Sequence, residues 1–344
     1  MRALWVVCGL MVAAGMIETS AARGDDGAFG SPELIEKARA EGHIFFYSVN
    51  FTETEQAWIA AFNRRFPFVK VELTRAPGGQ LITRIRTEAA AGKLAADVIE
   101  YSDRGHLLKM LDMYQDYRPP NADAFNPAAV TDPHKLWPRT TTGWCIAYNT
   151  ALIEKDPPKS WRDLANPRWK GKQIAQVIAG GGGPTWNRVL FERQVLGLDY
   201  WKAVAANGTQ LFPSGAPATD AIIRGEAKLG AQQTNIVIPR MKEGAPIACE
   251  VPPEGVPLTS YGAGIPKTAV NVNAARLFLN WSLSREGQEA FVRDSGGFSA
   301  LIDAPVPDGL DYKAVKPWYS RMEDYIGLQA AWVEEWNVIN GYRQ

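Results

Sequence analysis

From Ser31 onward the spacing of apolar residues alternates between the helical period of about 3.6 and the strand period of 2, and this alternation constrains the fold more than any other feature. Ser31 and Pro32 stand as cap and first helical residue, Leu34, Ile35 and Ala38 form an apolar face, and Gly42 closes the helix. Residues 43–49 carry Ile44, Phe45, Phe46 and Tyr47 in one run, the pattern of a buried strand. Thr52 with Glu55 spells a capping box; Trp58, Ile59, Phe62 and Phe66 line the helix behind it, and Pro67 stops it. Val69, Val71 and Leu73 alternate as a strand. Gly78 and Gly79 lead into a helix through Ile82, Ile85 and Ala89, closed by Gly92, and residues 97–101 form the next strand. Such a series folds as an open, mostly parallel sheet covered by helices, an α/β architecture.

The rhythm breaks at residues 137–149, which are strand-like throughout and precede a turn-rich stretch at 156–172. A second α/β series follows. Strands at 173–178, near Gln210, at 228–232 and at 247–251 alternate with helices at 185–196, 219–223 and 236–242. Pro252, Pro253 and Pro257 mark a return crossing, residues 258–265 are strand-like, and helices follow at 274–282, 286–294 and in the aromatic-rich stretch 318–342. The expected division is a first α/β lobe from residues 31–142 and 258–303 and a second from residues 143–257 and 304–344. Hinge crossings fall near 137–149 and 250–260. Neither a fixed-period repeat nor a low-complexity tract is visible.

Ahead of the first helix, Arg2 precedes an apolar run, residues 3–16, and then the small residues Ser20, Ala21 and Ala22. This reads as a secretory signal peptide, residues 1–22, with the exported chain starting near Arg23. The run is shorter than the roughly 20 residues of a membrane-spanning helix. Cys8 lies inside it, behind Val6 and Val7, where no lipid-attachment motif is formed. Lys and Arg number 37 and Asp and Glu also 37, and the signal segment removes one of each sign, Arg2 and Glu18. A chain without net charge or basic runs lacks the field that recruits nucleic acid or an anionic membrane surface.

Several short motifs, taken in order, resemble the periplasmic solute-binding proteins of the ferric-ion, thiamine, polyamine and phosphonate group. They are Phe46-Tyr47-Ser48, Ala96-Asp97-Val98, the run from Gly143 through Trp144 and Cys145 to Asn149, Ser160-Trp161-Arg162-Asp163-Leu164, Pro167-Arg168-Trp169-Lys170-Gly171-Lys172, Tyr261-Gly262-Ala263-Gly264-Ile265-Pro266-Lys267, and Ala275-Arg276-Leu277-Phe278 with Ser284-Arg285-Glu286-Gly287-Gln288. The resemblance implies a two-lobed type II periplasmic binding fold, a ligand cleft that closes like a clamshell, and a separate ABC permease and ATPase as partners. It implies a periplasmic chain, expected to be monomeric, that carries a small molecule. Ferric-binding members hold the metal with adjacent tyrosines in the second lobe and a His and Glu in the first. Here the tyrosine positions are Thr234 and Asn235 and the carboxylate position is Ser102, neutral groups that serve hard Fe(III) poorly. His43, His106 and His134 are scattered, so neither a metal nor a cofactor is expected. An Fe(III) carrier is the alternative function.

In open α/β sheets ligands sit at the carboxyl ends of the strands. That rule selects Ser48, Asn50, Gly79, Gln80 and Ser102 in the first lobe, and Gly182, Thr185, Thr234 and Asn235 in the second. Residues 180–183 lead from a strand into a helix, where glycines admit close approach and free N–H groups suit an oxyanion. Tyr261 on the returning strand, and Trp144 on the outgoing one, are aromatic candidates. Structural roles compete at each position: Ser48, Thr52 and Asp103 also suit helix caps, residues 180–183 a tight turn, and Trp144 a core. An enzyme on this fold would have Cys145 as its nucleophile, without a histidine placed as base. Cys145 and Cys249, left after processing in an oxidising compartment, are a candidate disulfide, with two free thiols as the alternative. The expected function is capture of a small anionic organic or phosphorus-containing solute for an ABC importer; a sensory role on the same fold fits the sequence equally.

Overall fold

The computed structural model describes residues 26–303, 307, 310 and 315–343, so the expected signal segment and the start at Arg23 lie outside the described residues. The chain opens with α1 (Pro32–Glu41), β1 (His43–Ser48), α2 (Thr52–Arg65), β2 (Lys70–Arg75), α3 (Gly78–Ala90), β3 (Val98–Tyr101) and α4 (Arg104–Leu108). After β4 (Trp137–Thr142) and β5 (Trp144–Asn149) come β6 (Ala175–Val177), α5 (Gly183–Phe191), α6 (Leu198–Ala206), β7 (Gln210–Phe212), α7 (Gly215–Ile223), β8 (Leu229–Gln233), α8 (Thr234–Lys242) and β9 (Ile247–Glu250). It returns through β10 (Val256–Pro257) and β11 (Thr259–Gly264) to α9 (Val272–Leu283) and α10 (Arg285–Ser295), then ends on β12 (Pro317–Trp318), α11 (Met322–Gly327) and α12 (Gln329–Ile339).

Two sheets repeat one strand order. The first runs β2-β1-β3-β11-β4, with β1 parallel to β2 and β3, and β11 antiparallel to β3 and β4. In the second, β6 pairs parallel with β7, meets β8 through a parallel bridge between Ile174 and Leu229, and β5 lies antiparallel between β8 and β9. The resulting order, β7-β6-β8-β5-β9, matches the first. In each sheet the antiparallel strand beside the third parallel one is a crossing strand, β11 or β5, so each sheet is built partly from a segment that passes between the lobes.

The strand-like run at 137–149 is therefore two strands in two sheets. Gly143 separates them, and a Cβ there would lie 2.5 Å from Phe298 Cε2, so the chain changes sheets where no side chain fits. Trp58, Phe62, Phe278, Trp281 and Phe291 fill the first lobe between sheet and helices. Trp144 belongs to the second core, fully buried with its indole N–H donating to the Pro184 carbonyl at 3.2 Å, and is not a cleft residue. Cys145 on β5 and Cys249 on β9 form a disulfide with Cα atoms 5.7 Å apart, which removes the candidate nucleophile.

The first helix keeps the expected ends: Ser31 Oγ accepts from Leu34 N at 3.2 Å, and Gly42 closes it at φ +72°. Two local expectations fail for identifiable reasons. The Thr52/Glu55 capping box does not form; Phe51 occupies the N-cap and Glu55 is buried against Arg139. Water can satisfy a surface helix end, whereas a buried guanidinium needs a carboxylate. Helix α7 starts at Gly215, earlier than residue 219, because Pro217 sits in its first turn, where a missing N–H leaves no hydrogen bond unmade.

Candidate functional site

The carboxyl ends of β1, β2 and β3 in one lobe face those of β6, β7 and β8 in the other, and the lobes touch. A Cβ on Gly183 would come within 2.2 Å of the Ser102 carbonyl oxygen and 3.0 Å of Asp103 Cα, so the start of α5 lies directly on first-lobe backbone. Thr142 of β4 donates to Asn235 Oδ1 of α8 at 2.6 Å, and the Tyr261 phenol of β11 lies beside Gln233 at the end of β8. This is a closed cleft with an outer cavity and an inner cluster of buried polar groups.

The outer compartment is a cavity of about 470 Å³ walled by Gly78, Gly79 and Ser102 from the first lobe, residues 178–183 from the second, and Gln329 of α12. Asp103 also lines it; its Oδ1 accepts from His106 N at 3.0 Å as the cap of α4, and its Oδ2 accepts from Gln329 at 3.3 Å. Burial pushes the Tyr101 phenol up to about 12, and its hydroxyl donates to the Gly78 carbonyl at 2.7 Å. An anion at the glycine loop would face the Asp103 carboxylate and the Ser102 carbonyl, so the N-terminus of α5 is poorly placed to bind one.

The inner compartment is this polar cluster, packed where β1, β3, β4 and β11 meet the start of α8. Arg139 is fully buried, its guanidinium 3.9 Å from the Trp58 ring centre, and it grips Glu55 with two bonds of 3.0 and 2.9 Å and Glu100 with one of 2.8 Å. Ser48 Oγ lies 2.9 Å from Glu55 Oε1 and 3.1 Å from Glu100 Oε2 while accepting from Asn50 N. Several neighbouring polar atoms are buried without a hydrogen-bond partner in the protein: Asn50 Nδ2, Glu100 Oε1, Thr234 Oγ1, Asn235 Nδ2 and Thr259 Oγ1. Asn50 Oδ1 accepts from Phe51 N, and Asn235 Oδ1 from Thr142, so each amide is oriented with its NH₂ group left over. The Tyr261 phenol is pushed well up, by burial first and by the Glu100 carboxyl second.

The candidates from the sequence thus separate. Gly79, Ser102 and Gly182 line the outer cavity, while Asn50, Thr234, Asn235 and Tyr261 are buried polar groups at the strand ends and the start of α8. Ser48 is buried with its hydroxyl held between two carboxyls rather than open to a solute. Gln80 is exposed on α3, and Thr185 is buried within α5; neither lines the cavity. Glu100, Gln233 and Gln329 were not expected. A carboxylate within the buried strand 98–101 was a readable signal for Glu100, whereas Gln329 is 226 residues from Asp103 and carried none.

Residues 48–289 match the family of bacterial extracellular solute-binding proteins. An uncharacterized protein of Haemophilus influenzae is 30% identical over 195 residues, which cover 53% of this chain and 56% of that protein. Iron uptake protein A1 of Synechocystis sp. is 23% identical over 286 residues, 76% of this chain and 77% of that one. Iron-bound HitA of Pseudomonas aeruginosa superposes with a TM-score of 0.70 at 19% identity, covering 86% of this chain and 99% of its own. AfuA of Actinobacillus pleuropneumoniae, a periplasmic binding protein with fructose 6-phosphate bound, gives 0.72 at 23% identity, covering 88% and 99%. At these identities the structures establish the type II periplasmic binding fold. The chain belongs to the bacterial extracellular solute-binding protein family, whose members bind small molecules and work with ABC transporters.

Proposed function

We propose that this protein is exported to the periplasm, captures a small anionic organic or phosphorus-containing solute between its lobes, and presents it to the permease and ATPase of an ABC importer. The observation that carries this reading is the group of buried, unpartnered donors at the start of α8, Thr234 Oγ1 and Asn235 Nδ2, together with Asn50 Nδ2 beyond the carboxyl end of β1 in the other lobe. Neutral donors converging on one oxyanion replace much of its hydration, and a helix N-terminus adds a partial positive charge. That contribution is about 0.3–2 kcal/mol, whereas micromolar binding requires about 8, so contacts from both lobes must combine. Closure then follows occupancy, and the permease can read it. The fructose 6-phosphate bound to AfuA supports a phosphorylated solute.

The names of HitA and the Synechocystis protein favour iron as the alternative. The first turn of α8, with Thr234 and Asn235, carries no anionic oxygen, which favours an organic anion over Fe(III). The test is a thermal-shift screen of sugar phosphates, phosphonates, carboxylates, polyamines and thiamine. Stabilisation by phosphorylated or carboxylated solutes supports the reading; stabilisation by cations alone overturns it.

A further inference from the structure

Two carboxyls share one cation beneath the inner compartment. Glu55, Glu100 and Arg139 are fully buried, and Glu55 already takes two of the three bonds that Arg139 makes to them. With both acids ionised the cluster would hold one uncompensated negative charge among Phe46, Trp58 and Phe278, a state strongly disfavoured away from water. A proton on one carboxyl removes it. Both Glu55 oxygens are bonded to Arg139, whereas Glu100 accepts from Arg139 through Oε2, which also lies 3.1 Å from the Ser48 hydroxyl, and has Thr140 of β4 beside its carboxyl; its Oε1 makes no bond within 3.5 Å. A proton on Glu100 Oε1 would leave the bonds of Oε2 intact.

Ala263 of β11 pairs with Glu100 of β3, so Tyr261 stands diagonally across on the same face, at the cleft end of both strands, and reaches Gln233 beside α8. The titratable and charged groups around Glu100 are Glu55 from α2, Arg139 from β4 and Tyr261 from β11, with Arg75 at the end of β2 facing Tyr261. Burial raises the affinity of Glu100 for a proton, Arg139 opposes this, and Glu55 adds to it.

We propose that Glu100 enters the solute site as a neutral acid, its Oε1–H donating to the bound anion beside Asn50 and Asn235, so that anion capture depends on the proton held by this carboxyl. The proposal rests on the anionic-solute reading above. A protonated Glu100 completes a set of donors, whereas an ionised one places a like charge against the solute. Affinity should fall by about tenfold for each pH unit above the Glu100 midpoint.

The test combines infrared pH titration of the solute-free protein with calorimetric binding of fructose 6-phosphate and inorganic phosphate from pH 6 to 9.5, in wild type and Glu100→Gln. The expected wild-type spectrum shows a protonated carboxylic acid at neutral pH that disappears on alkalinisation and is missing from E100Q. Phosphate ionisation is common to both proteins and cancels in the ratio of their affinities, which should lose about tenfold per unit above the midpoint, whatever the absolute affinity of E100Q. Absence of the acid band at neutral pH, or an identical pH slope in E100Q, overturns the proposal alone. Failure of both anions to bind wild type at any pH overturns the anionic-solute reading and the proposal with it. If E100Q does not fold, wild-type calorimetry above the midpoint in buffers of different ionisation enthalpy decides: uptake of one proton per bound anion supports the proposal, and no uptake overturns it.

Discussion

Replacing Gly183 with alanine should hold the cleft open. The new Cβ would sit 2.2 Å from the Ser102 carbonyl oxygen and 2.7 Å from its carbon, where ordinary contact begins at 3.4 Å, so the surfaces must part by at least about 1.2 Å. Both partners are backbone, and neither can rotate away. A solute bridging the lobes through bonds of about 2.9 Å would lose one set, because hydrogen bonds fail beyond roughly 3.5 Å. If each lobe supplies half of the about 8 kcal/mol of a micromolar complex, the variant keeps about 4 and binds in the millimolar range, a loss of about a thousandfold. Gly182→Ala is the control: nothing lies within 4 Å of its Cβ, and its φ of +120° strains the loop without blocking closure. Titration calorimetry with the anion that most stabilises wild type, and small-angle scattering with and without it, would measure both effects. G183A binding within threefold of wild type and contracting as fully would refute the claim that this contact limits closure.

Removing the Arg139 guanidinium in Arg139→Met leaves Glu55 and Glu100 buried together and should cost about 3–5 kcal/mol in urea unfolding. The pKa of Glu100, raised from 4.5 to about 8 chiefly by burial, means that the folded state holds a proton the unfolded chain releases; its contribution to stability is full below about pH 4.5 and is lost as pH rises towards 8, and Glu100→Gln should flatten that slope in denaturant titrations. The 104-residue span between Cys145 and Cys249 predicts a loss of about 4–5 kcal/mol in Cys145→Ser/Cys249→Ser, and thiol titration of the unreduced, denatured exported protein should find no free pair. Fe(III) with a synergistic anion should give no tyrosinate charge-transfer band; a strong visible band at one iron per chain would restore the iron reading.

The α/β alternation was legible because side-chain period reports which face of each element is covered, and residues 43–48, 52–65 and 70–75 fold in that order for this reason. Chain punctuation was legible where backbone geometry acts locally, as with Ser31 capping α1 and Gly42 closing it. Thr234 and Asn235 could be named as candidates because they directly follow the carboxyl end of β8 in sequence. The charge cluster was not. Glu55 has the local pattern of a cap, and only the arrival of Arg139 from 84 residues away, in a place closed to water, makes it an ion-pair partner. The same packing brought the Asp103 carboxylate and the Ser102 carbonyl to the glycine loop, and it left donors without partners at α8 instead. Periodicity records that a residue is inside; which charges and donors it meets there depends on sheet order and lobe closure, set by contacts between segments distant in the chain.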